Sequence, residues 1–257
     1  MADNVLYDLD GHVATITYNR PQVMNAINAE MRRDLNAAFS RFRDDDDAWV
    51  AIVTGAGRAF CSGADLREGG AMGEFPGSFW EKPTANSFES GWEIYKPVIA
   101  AVNGHCLGYG LTLVSWCDFV LAGEGAVFGY PEVRLGAPAI VGAIRLPQRV
   151  AWSDAMELLL TGETVDASRA LSMGLVWRVV PDDNLLAEAR GLAARLTRGA
   201  PLAQRAMKEM AMRAAYVSPV EAIRMGEAMR IVAGASEDAR EGIRASLAKR
   251  VPVWEGR

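Results

Sequence analysis

Residues Lys96 to Glu132 read KPVIAAVNGHCLGYGLTLVSWCDFVLAGEGAVFGYPE, a run that sets the strand-turn-helix pattern of the chain. A short apolar strand over Pro97 to Val102 runs toward the turn Leu107-Gly108-Tyr109-Gly110, then into an amphipathic helical stretch and a further strand. Such a turn leaves backbone N–H groups pointing into space where a helix begins, a place suited to a developing negative charge.

Working outward, Val5 to Leu9 and Val13 to Tyr18 are β-prone runs separated by Asp10-Gly11, a hairpin signal. Asn28 is a candidate N-cap, because Met31, Leu35, Ala38, Phe39 and Phe42 follow at helical spacing. The acidic run Asp44 to Asp47 reads as a solvated helix end. Trp49 to Thr54 is an unbroken apolar, β-branched run, the pattern of a buried strand. It empties into GAGRAFCSGADL (Gly55 to Leu66), which holds neither a G-x-G-x-x-G nor a G-x-x-x-x-G-K-[ST] fingerprint and so does not read as a nucleotide loop. Arg67 to Glu93 has no clean period. Its Met72, Phe75, Phe79 and Trp80 read either as the lining of a pocket or as a small core beneath a loop.

Beyond Glu132 the spacing predicts helices over Ile140 to Arg149, Ser153 to Leu160 and Ala167 to Met173, then a strand over Trp177 to Val180. Four more helices follow: Leu185 to Thr197, Pro201 to Ala215, Pro219 to Ala233 and Asp238 to Lys249. Pro201 and Pro219 sit at first-turn positions. Strands alternating with helices, closed by an all-helical end, argue for an α/β architecture with parallel pairing. We divide the chain into a core, residues 1–195, and a helical subdomain, residues 196–257.

The bulk properties narrow the partners. A chain of 257 residues accommodates one large domain, and its formal charge of −5 argues against nucleic acid, whose phosphates call for a basic face. With three cysteines (Cys61, Cys106, Cys117) in no C-x-x-C pair and two histidines, no metal cluster assembles from spacing, and a reduced compartment is expected. The N-terminus has no basic-then-apolar leader pattern and no apolar run approaches membrane-spanning length. The expectation is a cytoplasmic protein.

Two strand-to-turn-to-helix sites then stand out, Cys61-Ser62-Gly63-Ala64-Asp65 and Leu107-Gly108-Tyr109-Gly110, together with an acid in Gly129-Tyr130-Pro131-Glu132. One glycine turn means little. Two of them beside a carboxylate make a set for acyl chemistry, in which donors stabilise a thioester enolate and a carboxylate moves the α-proton.

The segments AFCSGADL, KPVIAAVNGHCLGYGLTL, CDFVLA and FGYPEVRLG, in that order, resemble the crotonase (enoyl-CoA hydratase/isomerase) superfamily, as do the ends RPQVMNAIN and SLAKRVPVWEGR. The resemblance covers essentially the whole chain. It implies a crotonase-like spiral of ββα units with C-terminal helices used in trimerisation, as a homotrimer or a dimer of trimers. It also implies an acyl-CoA substrate, with coenzyme A arriving as part of the thioester and no permanently bound cofactor or metal. The thioester oxygen would lie between two backbone N–H groups, which by motif position belong to Ser62 and Tyr109. Tyr109 stands where the family often has glycine, which would narrow the pocket and bring a phenol toward substrate.

The family's hydratases carry two glutamates. The second corresponds to Glu132, but the first position is Thr112, whose hydroxyl can orient a water or a substrate group but is no general base. The segment Leu135 to Gly142 also departs from the family's glycine-rich version. Since one carboxylate suffices to move a double bond whereas hydration is conveniently shared by two, the resemblance points to isomerisation ahead of hydration. Hydrolysis, decarboxylation and dehydration are the family's other directions, and an acyl-CoA-binding scaffold with weak chemistry is the alternative of another class. Coenzyme A contacts map to Met24, Ala26, Ala64, Asp65, Leu66 and Gly108, with Lys249 and Arg250 either meeting its phosphates or simply ending a solvated helix. Asp65 reads chiefly as orienting its own turn, Asp118 as a structural acid and His105 as a packed histidine.

Overall fold

The computed structural model describes residues 3–68 and 93–257. Met72, Phe75, Phe79 and Trp80 lie outside these described residues. The elements in order are β1 (Val5–Asp10), β2 (Val13–Tyr18), α1 (Ala29–Asp44), β3 (Val50–Gly55), β4 (Ala59–Cys61), β5 (Val98–Val102), β6 (His105–Leu107), α2 (Tyr109–Val114), β7 (Phe119–Gly123) and β8 (Val127–Gly129). There follow α3 (Ile140–Arg145), α4 (Trp152–Thr161), β9 (Thr164–Asp166), α5 (Ala167–Ser172), β10 (Arg178–Val180), α6 (Leu185–Leu196), α7 (Pro201–Arg213), α8 (Pro219–Gly234) and α9 (Glu237–Leu247).

The chain alternates between two sheets as it advances. One runs β1-β2-β3-β5-β7-β10, parallel except for the β1–β2 hairpin, and the other runs β4-β6-β8-β9, with its last pair antiparallel. Successive passes β3 then β4, β5 then β6, and β7 then β8 each lay one strand on each sheet, so each pass is one turn of a spiral. This is the α/β spiral that the family resemblance implied.

Residue alternation explains why the larger sheet reads as continuous apolar runs. Ala51 and Val53 point to an inner core with Phe60, Cys106 and Phe128 of the second sheet and Phe39 and Phe42 of α1. Val50 and Ile52 point the other way, to Leu185, Ala189 and Leu192 of α6. A sheet covered on both faces loses the in-out polarity pattern. Each buried Val, Ile or Leu among them contributes about 1.5–3 kcal/mol through burial.

Local chemistry fixes the ends of elements. Asn28 caps α1 by accepting the Met31 N–H at 2.9 Å. Ser218 and Glu221 form a reciprocal capping box that opens α8. At the far end of α1, the buried Lys96 donates Nζ to the Phe42 carbonyl at 2.8 Å and also to that of Asp45, so the acidic run is answered by a cation on the helix carbonyls. Leu196 ends α6, and Trp254 of the tail packs on the same α6 cluster while its Nε1 donates to the Arg198 carbonyl at 2.8 Å. Asp238 accepts the N–H of Glu255 at 2.7 Å and of Gly256 at 3.1 Å, so the tail is pinned back onto α9 and the helical end is tied to the sheet.

The structure corrects the sequence reading in places. Three-residue strands β4, β6 and β9 form where turns or irregular chain were expected. The helix expected over Ile140 to Arg149 stops at Arg145 and continues as a 3₁₀ turn, Leu146–Gln148, built around Pro147. His105, expected to be packed, is exposed, because β6 alternates and turns Cys106 inward instead.

Candidate active site

β4, β6 and β8 are parallel neighbours, so the segments leaving their C-terminal ends meet. These are Ser62 to Asp65, Gly108 to Gly110, and the 3₁₀ turn Pro131–Leu135 that carries Glu132. The β6–β8 register sets Leu107 opposite Gly129, and the Gly108 N–H donates to the Gly129 carbonyl at 3.0 Å. The two glycine turns touch: a Cβ on Gly63 would lie 3.4 Å from the Leu107 carbonyl oxygen. Gly108, at φ +52°, faces the acid, since a Cβ there would fall 2.5 Å from Glu132 Oε1. Glycine is thus required twice over, for the left-handed backbone and for room beside the carboxylate.

The N–H groups of these turns divide sharply. Ser62 N–H donates to the Met24 carbonyl at 3.0 Å, and Asp65 N–H to the Ile27 carbonyl at 3.0 Å. Ser62 N–H is therefore spent, which corrects its expected role as an oxyanion donor. Among the described residues, the N–H groups of Ala64 and Tyr109 have no acceptor. The signal that would have found Ala64 is the loop Met24–Asn25, left-handed at φ 53° and 56°, which turns the Met24 carbonyl onto Ser62.

That loop is held by a buried polar network. Arg20 Nη1 donates to Asp65 Oδ2 at 3.0 Å, forming an ion pair, and to the Ala26 carbonyl at 2.5 Å. Asn25 Nδ2 donates to the carbonyls of Ala56 at 3.0 Å and Ala59 at 2.7 Å. Asp65 thus has its carboxylate and its N–H committed inside the protein, so it shapes the turn and is not a free coenzyme A contact. Ala64 is half-buried and Leu66 exposed on the adjoining rim.

Glu132 has the features of a general base. Its Oε2 is buried and, among the described residues, has no hydrogen-bond partner. Burial raises its pKa, while its own backbone N–H opposes part of that rise. Thr112, one turn into α2, is buried and its hydroxyl is engaged with the Tyr130 hydroxyl at 3.3 Å. Tyr130 is itself wedged against α3: a Cβ on Gly142 would lie 2.6 Å from its ring. Thr112 is therefore packed against a tyrosine and does not point a free hydroxyl at a substrate. The Tyr109 ring stacks beneath the Arg32 guanidinium of α1, 4.1 Å from centroid to Cζ, and packs on the core.

Lys249 follows α9, exposed and left-handed at φ 51°, with no hydrogen bond or ion pair to these turns among the described residues. Among those residues, too, no group of three or more His, Cys, Asp or Glu side chains could hold a metal, and no helix is long and apolar enough to cross a membrane.

The profile of the enoyl-CoA hydratase/isomerase family matches residues 8–257. The chain belongs to that family. It is 38% identical over 260 residues to a probable enoyl-CoA hydratase of Mycobacterium bovis, covering 99% of each chain. It is 39% identical over 264 residues to a carnitinyl-CoA dehydratase of Citrobacter koseri, covering 100% of each. Among solved structures, a probable enoyl-CoA hydratase/isomerase from Mycobacterium abscessus superposes with a TM-score of 0.90 at 40% identity, over 100% of both chains. An enoyl-CoA hydratase from Mycobacterium tuberculosis does so at 0.90 and 35%, over 99% of this chain and 100% of the other. The fold is that of the crotonase superfamily, and the protein is an enzyme of the enoyl-CoA hydratase/isomerase family.

Proposed function

We propose that the enzyme shifts a double bond in an enoyl-CoA thioester, with Glu132 as its single acid/base. The thioester oxygen sits between the N–H groups of Ala64 and Tyr109. Glu132 Oε2 takes a proton from the α-carbon of a 3-enoyl-CoA, the C–H electron pair passes into the enolate, and the two N–H groups stabilise the oxyanion by about 3 kcal/mol each. The same carboxyl then returns the proton to the γ-carbon, giving the conjugated 2-enoyl thioester. The observation that carries this reading is the unpartnered Oε2 of Glu132 beside two unspent backbone donors, with Thr112 and Tyr130 packed where a second carboxylate would have to stand.

Coenzyme A would lie along the rim made by Met24, Ala26, Ala64 and Leu66, passing over Gly108. The exposed apolar residues of the last helices, Val232 (74%) and Leu247 (82%) among them, support association between chains, which the family resemblance makes a homotrimer or a dimer of trimers. In such an assembly Lys249 would meet the phosphates of a neighbouring subunit's substrate, whereas Arg250 is held by Glu241, to which its two terminal nitrogens donate at 2.5 and 2.8 Å. Hydration or dehydration is the second reading, favoured by the names of the relatives above.

Incubation with a 3-enoyl-CoA and, separately, a trans-2-enoyl-CoA, following the absorbance of the conjugated thioester, decides between them. A rise with the first supports isomerisation. Loss of absorbance with the second alone makes the enzyme a hydratase. No change in either, with coenzyme A still bound, makes it a binding protein. Thr112→Glu is expected to add no hydration in this assay, because the new carboxylate would be buried against Tyr130.

A further inference from the structure

Cys61 ends β4 at the point where the two glycine turns approach each other, and it is fully buried. Burial pushes its thiol up to about 12, so it is a neutral sulfur and not a nucleophile. The Gly63 N–H donates to its Sγ at 3.3 Å. Gly110 packs against the same side chain: a Cβ on it would stand 2.7 Å from Cys61 Cβ and 3.3 Å from Sγ. Gly63 immediately precedes Ala64, and Gly110 immediately follows Tyr109. The neighbours of both unspent donors therefore meet one side chain, while the outer flanks are held separately by the Ile27 carbonyl on Asp65 N–H and the Gly129 carbonyl on Gly108 N–H.

Resting on the oxyanion role assigned above to Ala64 and Tyr109, we propose that Cys61 is the positioning residue of that site: its sulfur accepts the Gly63 N–H and seats Gly110 against it, and so sets the separation and aim of the two donors. Sulfur suits the task because its acceptor distance exceeds that of oxygen, which favours about 2.9 Å from N–H donors. It reaches both turns without drawing them together. The neutral thiol also adds no charge beside a developing enolate.

The test is isotope-edited infrared difference spectroscopy of bound [1-13C]butyryl-CoA, a saturated thioester, together with exchange of its α-protons in D2O. In the wild type the thioester carbonyl stretch shifts down on binding and the α-protons exchange. Cys61→Ala is expected to lose most of that shift and about tenfold to a hundredfold in exchange rate, with butyryl-CoA affinity changed less than about threefold. Cys61→Ser, which keeps an acceptor of shorter reach, should fall between. Cys106→Ala removes the buried thiol paired with Cys61 across the strands and should leave the shift intact. A wild-type shift and exchange rate in folded Cys61→Ala or Cys61→Ser overturns the proposal, as does an equal loss in Cys106→Ala. An unshifted carbonyl in the wild type with butyryl-CoA bound overturns the oxyanion reading itself, and the role of Cys61 with it.

Discussion

A carboxylate oxygen that has lost water and gained no donor is costly to keep ionised, and Oε2 of Glu132 is such an atom among the described residues. Its folded pKa is raised above 4.5, so the stability it contributes is fully present only below its unfolded pKa and is lost as pH rises through the folded value. At neutral pH the ionised side chain is thus a net cost. Glu132→Gln is expected to raise the melting temperature at pH 7, a gain that vanishes below about pH 4, while turnover falls about 10²–10⁴-fold. In the wild type the acidic limb of kcat/KM should sit above the ordinary glutamate range, and pH-rate profiles of both proteins check it. A variant that keeps wild-type turnover removes Glu132 from the mechanism. Glu132 was legible in the sequence because it follows a recognisable Phe-Gly-Tyr-Pro run. The choice of Ala64 over Ser62 was not, because which N–H is spent depends on the Met24 carbonyl, brought from a different loop.

At the scale of elements, the first turn owes its shape to a loop some forty residues upstream. Arg20 and Asp65 form a buried ion pair, and removing one partner of such a pair leaves the other uncompensated, typically at about 3–5 kcal/mol. Asp65→Asn should cost about 3 kcal/mol by chemical denaturation and raise KM for the thioester more than it lowers kcat, since the loop it anchors borders the rim and not the base. An unchanged denaturation midpoint would show that the pair does not hold the turn. The long elements were legible: α1, α4 and α6 to α9 match their periodicities to within a few residues, as do β1 to β3. The strands β4, β6 and β9 were not, because three residues span barely one alternation and their pairing is fixed by neighbours from remote sequence. These short strands matter most for function, as two of them deliver the turns.

At the scale of the molecule, the helical end exposes Ile231, Val232, Leu247, Val251 and Val253, more apolar surface than an isolated chain has reason to carry. Light scattering on the eluting protein should give a mass in multiples of three chains. Leu247→Asp should shift that mass toward the monomer at micromolar concentration and weaken coenzyme A binding, if Lys249 serves a neighbouring site. A wild-type monomer would refute the assembly. The family, the α/β alternation and the acid proposed to move the proton were all readable in the chain alone, because hydrophobic periodicity, glycine turns and an acid after proline are local signals. The folded chain alone reveals which backbone donors remain unspent, that Thr112 is packed against Tyr130, and that the Cys61 side chain lies between the two turns. These follow from hydrogen bonds between segments far apart in the chain, and a local pattern carries no record of which distant carbonyl or thiol will meet a given N–H.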